Sequence, residues 1–148
     1  MQSAPNMSSV KDRAKEKLVR DLGPGFLAAL NDARTVEIML NADGTLWQEC
    51  LGEKMKPIGS MRGAQAEAVI KTVAGYHGQE VTRSKPLLEA EFPLDGSRFA
   101  AQMPPIVPSP TFALRKKAVA VFTLQEYVAR DVMTEAQHSA IVEAVVAH

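Results

Sequence analysis

A single cysteine, Cys50, stands among the 148 residues, which excludes an internal disulfide and is the usage expected in a reducing compartment. Aromatic residues make up only 5% of the chain, so the interleaved stacking surface that single-stranded nucleic acid favours is scarce. No charge sign is in excess. Lys plus Arg equals Asp plus Glu at 17 each, so the overall field draws the chain neither to a polynucleotide nor to an anionic membrane. No uninterrupted apolar run approaches the ~20 residues needed to span a bilayer. Residues 1–9 are polar and no apolar signal-peptide segment follows them. A cytoplasmic protein is the expectation. Also absent are a Gly-x-x-x-x-Gly-Lys-Ser/Thr phosphate loop, a Gly-x-Ser-x-Gly elbow, a His-Glu-x-x-His pair and a Cys-x-x-Cys pair; without them, self-contained catalysis is not expected.

What is present suits one domain, since a chain of this length buries roughly two thirds of its unfolded surface. Ser9 with Asp12 reads as a capping box, and Val10, Ala14, Leu18 and Leu22 follow at helical spacing. Gly23-Pro24-Gly25 ends that helix, and Pro24 suits the first turn of a short second one through Leu30. The apolar stripe of the first helix is thin, which fits either a loose appendage or a packing arm for a neighbouring subunit.

At Thr35 the period changes to two. Val36, Ile38 and Leu40 share a face, and Asn41-Ala-Asp-Gly44 turns the chain into a second strand over 45–51. A third strand over 56–61 contains Pro57, which places it at an edge or confines the proline to the strand start. Ala66, Val69, Ile70, Val73 and His77 predict an amphipathic helix across one sheet face, stopped by Gly78. Three further strands are expected over 87–92, 97–103 and 111–116, the first two joined by Pro93-Leu-Asp-Gly96. Thr123 with Glu126 and Thr134 with Gln137 are further capping boxes. The apolar pattern of the last helix runs to His148 without a stop signal, which suggests either a cut chain or a C-terminal helix that frays.

The chemistry-bearing candidates are Arg98 and Arg115. Each rises from an apolar strand pattern, Asp95-Gly-Ser-Arg-Phe99 and Phe112-Ala-Leu-Arg-Lys-Lys117, with Met103-Pro-Pro-Ile-Val-Pro-Ser-Pro110 between them. Proline fixes φ and removes a donor, so the connector is read as a stiff spacer that holds the two arginines in a fixed relation. Two converging guanidiniums suit a phosphate, and Lys116 and Lys117 add positive potential. The competing assignment is two ordinary surface arginines. Glu89 and Glu91 share one strand face and read as a solvated outer surface, since no partner base is visible. His77, His138 and His148 fall on separate elements and read as solvent-facing or helix-end residues, not metal ligands. Trp47 is assigned to core or interface packing, and Phe99 and Phe112 to the core side.

Thr35-Val-Glu-Ile-Met-Leu-Asn-Ala-Asp-Gly-Thr-Leu-Trp47, Lys85-Pro-Leu-Leu-Glu-Ala-Glu-Phe-Pro-Leu-Asp-Gly-Ser-Arg98, Pro104-Pro105 and Leu114-Arg115-Lys116 together resemble the N-terminal domain of the secretion traffic ATPases, in their type IV secretion and conjugal-transfer branch. The resemblance covers about residues 10–148. It implies an α+β fold: a PAS-like antiparallel sheet of about six strands with a helix across one face, N-terminal helices, and a C-terminal linker and helix. The implied division is an N-terminal helical segment over 1–32, the PAS-like domain over 33–122, a linker over 123–133, and over 134–148 the first helix of a RecA-like ATPase domain that the chain otherwise lacks. It further implies a homohexameric ring at the cytoplasmic side of the inner membrane, with partners among the secretion or conjugation machinery. Arg98 and Arg115 would meet the phosphates of ATP, which the C-terminal domain holds together with Mg²⁺, and the chain alone would be inactive. Sequence-specific nucleic-acid binding is not expected. The alternative is a PAS-like interaction or ligand-sensing module with no nucleotide role, which needs an apolar pocket inside its sheet–helix core.

Overall fold

The computed structural model describes residues 7–117, 124–129, 131 and 133–147. The chain divides into two units, 1–117 and 118–148. In the first, a helix α1 (Met7–Asn31) precedes β1 (Thr35–Leu40), β2 (Thr45–Cys50), β3 (Lys56–Ser60), α2 (Gly63–Tyr76), β4 (Leu87–Glu91), β5 (Arg98–Gln102) and β6 (Thr111–Arg115). All six strands form one antiparallel sheet in the order β3-β2-β1-β6-β5-β4. Pro57 lies on β3, an edge strand, where a missing backbone donor is tolerated.

Alternation along the strands separates two faces. Leu88, Phe99, Ala101, Phe112, Leu114, Ile38, Leu40 and Leu46 are buried, while the residues between them face outward. The buried face packs against Ala66, Val69, Ile70, Val73 and Ala74 of α2 and against Leu18, Leu22, Phe26, Ala29 and Leu30 of α1. Four phenylalanine rings make the centre of this layer: Phe26 lies 6.2 Å from Phe92 and 6.0 Å from Phe112, and Phe99 lies 5.5 and 5.3 Å from the same two. Such rings stabilise through area and through offset or edge-on geometry.

Several expectations change here. The thin stripe of α1 is not a loose appendage, because Leu18 and Leu22 are 0% and 4% exposed within this unit's own core, while Val10 at its start is exposed. Helix geometry is already present at Met7, so Ser9 is inside the helix and not its N-cap. Gly23 breaks α1 as expected, with φ 79° and ψ 169°, and Pro24 opens the next turns; only glycine adopts such angles without strain. His77 caps α2 at the surface, its Nε2 2.7 Å from Glu91 O, and Ala74 takes the buried place instead. Cys50 is buried, 2% exposed.

The link from α1 to β1 is closed by Asp32, which accepts from Arg34 N at 2.9 Å and Arg34 Nη2 at 3.2 Å, while Arg34 Nη1 also reaches Glu53 at 3.4 Å. The side-chain hydrogen bond from Arg34 holds the Asp32 carboxyl below its ordinary value, and the backbone N–H of Arg34 acts in the same direction. In the interior, Thr35 Oγ1 donates to Ala29 O at 2.6 Å and accepts from Gln48 Nε2 at 2.7 Å, which satisfies the buried Thr35 hydroxyl.

The second unit contributes α3 (Leu124–Ala129) and α4 (Glu135–Val146). Thr134 and Gln137 form the expected capping box, Gln137 N donating to Thr134 Oγ1 at 3.2 Å and Thr134 N to Gln137 Oε1 at 2.9 Å. The box proposed at Thr123 lies outside the described residues, as does His148. Among the described residues no helix is long and apolar enough to cross a membrane.

Candidate functional site

Strand register decides where the two arginines stand. Arg98 opens β5 and Arg115 closes β6, and the two are direct partners across that antiparallel pair. Directly opposed residues hold their Cβ atoms roughly 5 Å apart. Both side chains are exposed on the outward face, because Phe99 and Leu114 beside them take the inward one. The ladder continues on either side: Glu91 of β4 opposes Arg98, Glu37 of β1 opposes Arg115, and Glu49 of β2 opposes Glu37. One rung therefore reads Glu91, Arg98, Arg115, Glu37, Glu49 across five strands. No ion pair among the described residues takes up either guanidinium.

Arg98 and Arg115 line a recess of about 550 Å³ with Glu89, Ala90, Glu91, Gly96, Lys116 and Lys117. Gly96 turns the chain into β5 with φ 75°, and a Cβ placed there would meet Lys117 Nζ at 3.1 Å, so a side chain at this turn would crowd the lysine. Lys117 is exposed. Lys116 behaves otherwise: its Nζ donates to Leu30 O at 2.5 Å and pairs with Asp95 Oδ2 at 3.3 Å, on the helix-covered side. The positive potential expected of both lysines thus comes chiefly from Lys117.

Two readings from sequence are revised by this geometry. The proline connector lies at the closed tip of the β5–β6 hairpin and the arginines at its open mouth, so the backbone ladder holds them in register while the connector only closes the turn. Glu37 and Glu91 belong to the arginine rung. Glu91 looked like a plain outer-face residue and Glu37 drew no notice, since period-two alternation assigns a face but says nothing of which residues lie opposite. Glu89 is exposed beside them, as expected. His77 ends α2 in the first unit and His138 lies on α4 in the second. Among the described residues no group of three or more His, Cys, Asp or Glu side chains is placed to hold a metal ion.

Further along the same outward face, Ala100, Ala113, Met39 and Leu87 border a second trough of about 630 Å³, with Glu89, Gln102 and Thr111 also in its lining. Trp47 stands opposite Met39 on β2, and its Nε1 is buried without a hydrogen-bond partner among the described residues.

Comparison with known proteins bears directly on this arrangement. Two curated proteins, the probable conjugal transfer protein TrbB of Sinorhizobium fredii and the conjugal transfer protein TrbB of Rhizobium radiobacter, are 43% and 44% identical over 133 residues, which is 90% of this chain. Over most of its length the chain is similar to the TrbB conjugal transfer proteins. It spans 41% of the length of each of them. The fold is shared with the VirB11 ATPase from the Brucella suis type IV secretion system, solved in complex with sulphate, at a TM-score of 0.70 and 17% identity, covering 87% of this chain and 39% of that one. No family model matches the chain. With 133 of the 148 residues aligned, at most 15 lie outside, so the likeness to TrbB takes in the whole sheet.

Proposed function

We propose that this chain is the N-terminal domain of a hexameric cytoplasmic ATPase, seated at the inner membrane, that powers conjugative transfer or type IV secretion. In this reading Arg98 and Arg115 contact the phosphates of ATP bound mainly by a C-terminal RecA-like domain. One observation carries it: two exposed guanidiniums directly opposed on neighbouring strands, with no ion pair of their own, at the rim of a recess. Like charges set opposite each other in a sheet are destabilising, and an anion that accepts from both relieves the repulsion. The kinship with TrbB proteins supports the choice of a nucleotide as that anion.

The residues present fit a polyphosphate and do not by themselves fit a metal, so Mg²⁺ is assigned to the C-terminal domain. Bound Mg-ATP supplies the phosphoryl chemistry there. The part played by this chain is electrostatic: each guanidinium offers a planar fork of N–H donors to phosphate oxygens and steadies the negative charge that shifts during transfer. Contacts to the terminal phosphate also couple domain position to nucleotide state, since a ligand moves a domain only through its different affinity for two arrangements.

The ligand-sensing alternative calls for a pocket in the sheet–helix layer. Phe26, Phe92, Phe99 and Phe112 fill that layer, and the second trough lies on the outward face instead. Arg98→Ala and Arg115→Ala, made in the full-length protein, are expected to lower ATP turnover by at least about tenfold each, with thermal unfolding of this chain carrying the same changes little altered. Wild-type turnover in both variants removes the phosphate assignment.

A further inference from the structure

Arg98 and Arg115 sit where their hairpin opens, and that mouth is closed by a side chain from the opposite face of the sheet. Lys116 N donates to Val36 O at 2.9 Å, which carries the pairing with β1 one residue past β6. Alternation then turns the Lys116 side chain toward the helices, where it is 15% exposed. Its Nζ donates to Leu30 O, in the last turn of α1, at 2.5 Å and reaches Asp95 Oδ2, in the β4–β5 turn, at 3.3 Å. Asp95 is itself tied down: its Oδ1 accepts from Ser97 N at 2.9 Å and its Oδ2 from Ser97 Oγ at 2.7 Å. Ser97 is 1% exposed and directly precedes Arg98. One ammonium group therefore joins the backbone that ends at Arg115, the backbone that begins at Arg98, and the C-terminal end of α1, where a cation is favoured by the unpaired carbonyls.

We infer that Lys116 is a positioning residue for the two-arginine site: acting through Asp95 and Ser97, it keeps the start of β5 closed on the end of β6, so that the backbone pairing of Arg98 with Arg115 holds at the mouth of the hairpin. Its functional consequence rests on the phosphate reading above; the mechanical half can be observed without any ligand. Adjacent lysines then have different work, Lys117 supplying charge to the recess and Lys116 placing the groups that line it.

The test measures amide hydrogen exchange and tripolyphosphate affinity on the 148-residue chain carrying Lys116→Met, Asp95→Asn or Lys117→Met. Hydrogen bonds to charged groups of this kind govern local opening strongly enough that Lys116→Met is expected to speed exchange by about tenfold at Phe92, Gly96 and Lys116. Those amides donate to Ser97 O, Phe92 O and Val36 O. The Met61 amide, bonded to Gly44 O at a distant hairpin, should keep its wild-type rate. Tripolyphosphate binding should weaken by about tenfold in parallel. Asp95→Asn, which preserves size and one acceptor, should act in the same direction, whereas Lys117→Met should weaken binding with exchange unchanged. Wild-type exchange at the three amides in Lys116→Met and Asp95→Asn, or a rise spread equally to Met61, overturns the inference. So does unchanged binding in Lys116→Met when Arg98→Ala and Arg115→Ala abolish it. If the arginine variants bind like wild type, the phosphate reading fails, and the exchange pattern still decides whether Lys116 clamps the mouth.

Discussion

Arg98 and Arg115 repel each other, and each has a carboxylate on its outer side, Glu91 and Glu37 respectively. These acids soften the repulsion in the free chain and compete with any anion that enters. Glu37→Gln is therefore expected to tighten tripolyphosphate binding by about two- to fivefold, the scale of an exposed charge pair, as measured by isothermal titration; an unchanged or weakened affinity would place Glu37 outside the field of the site. Asp32 gives a second residue-level expectation. Its carboxyl is held below its ordinary value by Arg34, so the stability it adds is present above that ordinary value and disappears as pH falls through the lowered one. Urea unfolding at neutral pH should show Asp32→Asn slightly less stable than wild type, with the gap closing in acid. Exposure and salt keep this effect small.

The elements show why some of the fold could be read beforehand and some could not. Helix α2 announced itself through Ala66, Val69, Ile70 and Val73, all 0% exposed, because period 3.6 and a glycine stop are local signals. The hairpin of β1 and β2 was equally plain from Asn41-Ala-Asp-Gly44. Helix α1 was harder: its stripe is interrupted at Gly23, and the two halves look weak apart although Leu18, Leu22, Phe26 and Leu30 all reach one core. Packing supplied what propensity lacked. Phe26→Ala, removing a ring that touches both Phe92 and Phe112, is expected to lower unfolding free energy by about 3–5 kcal/mol, read from the urea midpoint at constant slope. A loss below about 1 kcal/mol would mean that α1 contributes little to the layer.

At the scale of the molecule, face assignment was legible and neighbour assignment was not. Arg98 and Arg115 were picked out because each interrupts an apolar alternation, yet their direct opposition and the rung of acids around them come from a strand order, β1-β6-β5-β4, that no local pattern encodes. Lys116 was grouped with Lys117 for the same reason: two adjacent lysines on a strand end look alike until the Leu30 carbonyl and Asp95 appear beside one of them.

The β5–β6 hairpin has its prolines at the tip and its guanidiniums at the base, with four paired positions between. At ~3.4 Å per residue, roughly 14 Å of ladder insulates one end from the other. Insertions, an epitope or a fluorescent reporter could be grafted between Ile106 and Ser109 while the charged base keeps its geometry, giving an optical handle on this chain that leaves the rim of the recess untouched.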